Sequence, residues 1–153
     1  MTDPARDPEP ELDPYAPRPL ARWFFPAAIA SVLFMLLGVL MYVEHVTLDA
    51  ASLPVDQRAA FLAQPQWVTA VFAAATWSGL AGALLLLFRR ATAVPVLLVS
   101  LVALAAWIGG LATTVVVRSS MSVNDWAVLI AVAAVVWTIY WFARHSRQRG
   151  WLR

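Results

Sequence analysis

The chain has 153 residues, of which 61% are hydrophobic and only 13% are charged, with a formal net charge of +2. A soluble domain carries about 25% charged residues, so this composition excludes an ordinary soluble globule and indicates surfaces that face lipid. The absence of cysteine excludes disulfides and thiolate metal sites.

The first segment, residues 1–21, holds five acidic residues and six of the ten prolines. Proline removes backbone donors, and a segment with so little apolar surface cannot offset the entropy lost on ordering. We therefore expect residues 1–21 to be a disordered cytoplasmic tail. It is either an acidic docking arm for a partner or a solvated leader.

Four long stretches without charge follow, and each is long enough to be a membrane-spanning helix. About 20 helical residues cross a hydrocarbon core of about 30 Å. Backbone polar groups must be satisfied internally in lipid, so the sequence predicts an all-α, integral membrane four-helix bundle within residues 22–144. The first stretch is too long for a signal peptide, and we expect it to remain as a helix. The predicted spans are residues 23–43, 67–88, 94–117 and 124–143.

The longest connection, Glu44–Gln66, contains a short helical pattern between Pro54 and Pro65. Its apolar residues recur at helical spacing, which predicts a short amphipathic helix at the membrane interface. This helix is either a lid or docking element, or a cover for the outer face of the bundle.

Small residues recur in the second and third spans at a spacing that puts them on one helix face. Association of helices in lipid depends on close backbone approach, which small residues permit. We therefore predict that spans two and three pack as a hairpin. The predicted packing residues are Ala75, Ser78, Gly79, Gly82, Ala83, Ala106, Gly109 and Gly110.

Arginine placement predicts the orientation, since every one of the eleven basic residues is arginine. Most lie in the two terminal segments and in the loop between spans two and three, so the positive-inside rule puts both termini in the cytoplasm. Anionic headgroups attract such arginines, whereas nucleic-acid binding is not expected from so short a basic tail, residues 145–153. The predicted headgroup contacts are Arg89, Arg90, Arg144, Arg147 and Arg149.

Four polar residues lie where spans meet the outer loops, namely Glu44, His45, Arg118 and Asp125. They either mark the water boundary or form an outer-face polar site. The second alternative arises because ionisable residues in membrane spans are functional candidates. No nucleophile–base pair, phosphate loop or spaced acid pair is evident. We expect no enzyme activity, no metal and no cofactor.

Beyond the first segment, the chain contains LLGVLMY (Leu36–Tyr42), LPVDQRAAFLAQPQWVTAVFA (Leu53–Ala73), GLAGALLLLFRRATAVPVLLVSL (Gly79–Leu101) and WFARHSRQRGWL (Trp141–Leu152). Their order resembles an uncharacterised family of small four-span bacterial membrane proteins, often labelled "sugar transporter". The resemblance implies a fold and a membrane location but no established activity. Its members often carry Asn in span one and Gln in span three, where this chain has Met35 and Trp107.

These features favour a non-enzymatic inner-membrane protein that acts as an accessory or scaffold subunit through helix and lipid contacts. Its partners would be the lipid bilayer and either another membrane protein or further copies of itself. The alternative is a small homo-oligomeric transporter. An enzyme would require Glu44, His45 and Asp125 to converge in a polar cavity.

Overall fold

The computed structural model describes residues 20–153, and it confirms the all-α class with four long apolar helices packed together. The predicted tail over residues 1–21 lies almost entirely outside the described residues. The long helices are α1 (Phe24–Thr47), α3 (Gln66–Leu87), α4 (Ala93–Thr113) and α6 (Val123–Gln148). Each is long and apolar enough to cross a membrane, so the chain is a multi-pass membrane protein.

Two short helices lie between the long ones, on the side that we call the loop end (residues 44–66 and 114–125). After α1, a 3₁₀ turn (Ala50–Ser52) and helix α2 (Val55–Leu62) form the first connection. Arg58 fixes this connection, because its guanidinium donates to the carbonyl oxygens of Ala50 at 2.9 Å and Ala51 at 2.6 Å. A short helix between spans one and two was predicted, and the structure contains it.

The third span ends earlier than the charge-free stretch suggested. Helix α4 stops at Thr113, and a separate helix α5 (Val115–Ser120) follows, whereas the predicted span ran to residue 117. The hydroxyls of Thr113 and Thr114 both donate to the carbonyl oxygen of Gly110, at 2.9 and 3.1 Å. Such side-chain bonds compete with the helical backbone pattern, and Thr114 adopts an extended conformation.

The helices pack in the order α1, α3, α4, α6, and the α3–α4 pair forms the most extensive interface. At the other end from the loops, α6 also reaches α1 through aromatic rings. The ring of Phe142 lies 5.4 Å from that of Trp23 and 5.5 Å from that of Phe24. We call this side the arginine-rich end, and its arginines are Arg22, Arg89, Arg90, Arg144, Arg147, Arg149 and Arg153.

Candidate functional site

The predicted outer-face polar residues all lie at the loop end, in different surroundings. Glu44 and Arg118 are exposed, on α1 and α5 respectively. The half-buried ring of His45 packs 5.2 Å from Phe61 of α2 and 6.0 Å from Phe72 of α3. His45 therefore joins three helices through aromatic contacts.

Asp125 belongs to the start of α6, where it forms a capping box with Ser122. Its carboxylate accepts hydrogen bonds from the backbone nitrogen of Ser122 at 2.7 Å and from the Ser122 hydroxyl at 2.8 Å. This arrangement satisfies donors that the first helical turn leaves open. Within residues 20–153, no three His, Asp or Glu side chains group closely enough to hold a metal ion.

A lateral groove of about 240 Å³ lies between α1 and α6 in the half of the bundle next to the loop end. All four long helices line it, and Met41 and Val128 are 55% and 61% exposed, which opens the groove toward lipid. The ring of Phe72 stacks on that of Trp107 at 4.5 Å and closes part of its wall. We call this feature the lateral groove.

The hydroxyl groups that line the lateral groove already donate hydrogen bonds to backbone carbonyl oxygens. The Thr76 hydroxyl donates to the carbonyl oxygen of Phe72 at 3.0 Å, and the Ser100 hydroxyl donates across to Ala75 of α3 at 2.7 Å. Met35 and Trp107 both line this groove. The groove therefore offers an apolar surface, which suits lipid chains or apolar side chains better than a sugar.

The predicted packing residues divide into two groups. A Cβ atom added to Gly79 would lie 2.8 Å from the sulfur of Met35, and one added to Gly82 would lie 2.7 Å from Cγ of Leu97. At Gly110 it would lie 2.6 Å from the ring of Trp67. These glycines therefore let α1, α3 and α4 approach closely. Ala75 and Ala83 are also buried, and Ser78 is half-buried.

Two of the predicted packing residues lie on an open face of α4 instead. Ala106 and Gly109 are exposed, and a Cβ atom at Gly109 would meet nothing within 4 Å in residues 20–153. Ala105 and Val102 are exposed on the same helix. We call Val102, Ala105, Ala106 and Gly109 the open α4 face.

At the arginine-rich end, the last residues fold back onto the bundle. Gly150 has a φ of +73°, and the backbone nitrogens of Gly150 and Trp151 donate to Arg147 and Ser146, which is a Schellman cap. The chain then turns inward, so that Trp151 and Leu152 are buried. Residues 145–153 were predicted as a basic cytoplasmic tail, and Trp151 and Leu152 of this segment belong to the hydrophobic core.

A second Schellman cap ends α3, where the backbone nitrogens of Arg89 and Arg90 donate to the carbonyl oxygens of Leu86 and Leu85, and the tail binds to this turn. Arg89 takes a φ of +59°, although it is not glycine, and its Nε donates to the carbonyl oxygen of Trp151 at 2.9 Å. The backbone nitrogen of Arg153 donates to the carbonyl oxygen of Arg89 at 2.7 Å, and the carbonyl oxygen of Arg153 accepts from the backbone nitrogen of Ala91 at 2.8 Å. We call these contacts the tail clasp (Arg89, Ala91, Trp151 and Arg153).

The side chains of the other predicted headgroup residues are exposed at this end. Arg90, Arg144, Arg147 and Arg149 are exposed, and Nε of Arg149 lies 3.2 Å from Nε2 of His145. Sequence reasoning missed both the tail clasp and the lateral groove. A sequence signal for the folded-back tail existed, because a glycine followed by an apolar residue is typical of a Schellman cap.

Comparisons of the chain with protein-family models, with curated proteins and with solved structures found no match. The four-span arrangement that the resemblance implied is present in the structure, and no family is identified.

Proposed function

We propose that this protein is a non-enzymatic accessory or scaffold subunit of the bacterial inner membrane, which binds another membrane protein through the open α4 face. The observation that carries the proposal is the contrast among the membrane glycines. Gly79, Gly82 and Gly110 lie against neighbouring side chains, whereas a Cβ atom at Gly109 meets nothing within 4 Å in residues 20–153.

The surroundings of Gly109 suit the approach of a second helix. Ala105 and Ala106 are small and exposed beside it, so a partner backbone can come close along this stretch of α4. In lipid, helix association depends on such close packing, since hydrophobic burial gains little there. The occupant that we propose is a single membrane-spanning helix of the partner.

The orientation proposed for the subunit follows from its charges. The arginine-rich end carries seven of the arginines in the described chain, and the loop end carries Arg58 and Arg118. The positive-inside rule therefore favours an arginine-rich end in the cytoplasm. The tail clasp and the predicted headgroup contacts would then face the inner leaflet.

The alternative, a small homo-oligomeric transporter, has less support. A path for a polar solute needs free donors and acceptors, and the hydroxyls of Thr76 and Ser100 in the lateral groove already donate to backbone carbonyls. An oligomer would have to supply the missing polar groups from a second chain.

The experiment compares two bulky substitutions on lipid-facing surfaces. Gly109→Leu would fill the open α4 face, whereas Ala30→Leu would add the same side chain to an exposed position of α1. Wild type and both variants are cross-linked in native membranes, purified in mild detergent and analysed by native mass spectrometry.

We expect one heterologous membrane protein to accompany wild type and Ala30→Leu in fixed ratio and to be lost from Gly109→Leu. Equal recovery with all three chains would contradict the role of the open α4 face. A homo-oligomer with solute uptake in liposomes would instead support the transporter.

A further inference from the structure

A cavity of about 370 Å³ lies between α4 and α6 at the arginine-rich end. It is lined by Val94 from the first turn of α4 and by Tyr140, Arg144, Arg147 and Gln148 from α6. We call it the α4–α6 cavity. It is separate from the lateral groove, which lies in the other half of the bundle.

The lining of the α4–α6 cavity matches the two parts of a phospholipid. Arg144, Arg147 and Gln148 are exposed and supply N–H donors, and guanidinium groups bind phosphate oxygens in a bidentate manner. Val94 is buried and Tyr140 is half-buried, and Tyr140 lies about one helical turn closer to the middle of α6 than Arg144. Tyrosine is common at this depth, because its ring is apolar and its hydroxyl is polar.

The charges that the structure describes at this end favour an anion. Within residues 20–153, the acidic residues belong to the loop-end segments 44–66 and 114–125. Among residues 20–153, Arg144 and Arg147 therefore face the cavity with no Asp or Glu residue at their own end of the bundle. Basic pockets between membrane helices are typical sites for anionic headgroups.

We propose that the α4–α6 cavity binds the phosphate group of an anionic membrane lipid. Arg144 and Arg147 contact the phosphate oxygens, and the acyl chains run along the α4–α6 surface from Val94 and Tyr140. This proposal rests on the part of the proposed function that concerns lipid contacts, and it names the site of one such contact. It does not depend on the partner helix.

The test uses three variants that each remove one positive charge, Arg144→Gln, Arg147→Gln and Arg149→Gln. Arg149 is the matched control, because it lies on the same last turns of the chain but does not line the cavity. Full-length protein in mild detergent is titrated with cardiolipin, phosphatidylglycerol or phosphatidylcholine, and native mass spectrometry measures the bound fraction. Inorganic phosphate is titrated separately.

We expect wild type to bind the two anionic lipids and to bind phosphatidylcholine much more weakly. Arg144→Gln and Arg147→Gln should each weaken anionic-lipid binding about fivefold, and Arg149→Gln should leave it within about twofold of wild type. Thermal unfolding without lipid should be the same for all three, which separates a binding loss from a folding loss.

Equal losses for all three variants, or unchanged binding by Arg144→Gln and Arg147→Gln, would overturn the site. If inorganic phosphate binds with the same arginine dependence and blocks no lipid, the cavity holds a soluble phosphate and the lipid assignment is wrong. Gly109→Leu should bind lipid like wild type, so failure of the partner proposal and failure of this one are distinguishable.

Discussion

The close approach of α3 and α4 at Gly82 can be tested by adding a single methyl group. Gly82→Ala puts a Cβ atom 2.7 Å from Cγ of Leu97 and 3.2 Å from the Leu97 backbone nitrogen. Carbon atoms pack best at about 3.5–4.0 Å, so Leu97 or the whole helix must retreat by about 1 Å. Leu97 is fully buried, so its side chain is in contact with neighbours that must also shift.

The same substitution at Gly109 provides the reference for the magnitude. Both changes gain about 1 kcal/mol in helix propensity, but the new methyl group at Gly109 meets nothing within 4 Å in the described chain. Overpacking of a filled interface costs about 1–3 kcal/mol. The free energy of unfolding of Gly82→Ala should therefore fall below that of Gly109→Ala by about 1–3 kcal/mol.

Thermal unfolding in mild detergent, followed by tryptophan fluorescence, measures this difference. About 2–4 °C per kcal/mol applies to soluble chains of this size, so Gly82→Ala should unfold about 2–12 °C below Gly109→Ala. Equal melting temperatures for the two variants would refute the α3–α4 packing described above.

Two further changes test the tail clasp and the core beneath it. Ser146→Ala should raise the free energy of unfolding by about 1 kcal/mol, because the Ser146 hydroxyl is buried without a hydrogen-bond partner in residues 20–153. Denaturant or thermal titration measures this change, and a lower stability of the variant would contradict it. Arg89→Gly and Arg89→Ala both remove the bond to Trp151, but only alanine keeps an unfavourable positive φ. The alanine variant should melt lower by the equivalent of about 1–2 kcal/mol, and equal melting would show that the strain at this position is absent.

The sequence predicted the four long apolar helices, because charge-free length is set directly by the bilayer and depends little on tertiary contacts. Arg22 and Glu44 bracket the first predicted span closely, and α1 begins nearby at Phe24 and runs on to Thr47. Charges mark where water begins, whereas helices continue until a cap or a competing hydrogen bond stops them. For this reason the ends of α4 and α6 differ from the predicted spans.

Small-residue spacing could not show which neighbour each residue would meet. Gly109 and Gly110 are adjacent in sequence and share the same pattern, yet Gly110 packs against Trp67 while Gly109 lies open. A rotation of about 100° per residue separates their faces on a helix. Helix order therefore had to come from the structure before internal packing could be told from an open face.

The sequence predicted only part of the lining of the α4–α6 cavity. Arg144 and Arg147 were predicted as headgroup contacts, but Val94 is far from them in sequence and joins them only because α4 packs on α6. The folded-back tail was missed for a related reason: an arginine-rich segment suggests solvent or lipid, and the burial of Trp151 and Leu152 depends on a core formed by α1 and α6.

The absence of cysteine makes it possible to test directly whether four helices cross the membrane with both ends of the described chain on one side. Single cysteines are placed at Ser52 and Ser119 of the loop end, at Thr92 and Gln148 of the arginine-rich end, and at Val102 in mid-span, all exposed positions. Intact cells are treated with a membrane-impermeant maleimide before and after permeabilisation.

We predict that the cysteines at Ser52 and Ser119 label in intact cells, that those at Thr92 and Gln148 label only after permeabilisation, and that Val102 stays unlabelled. Labelling of loop-end and arginine-rich-end positions from the same side, or ready labelling at Val102, would contradict a four-span arrangement.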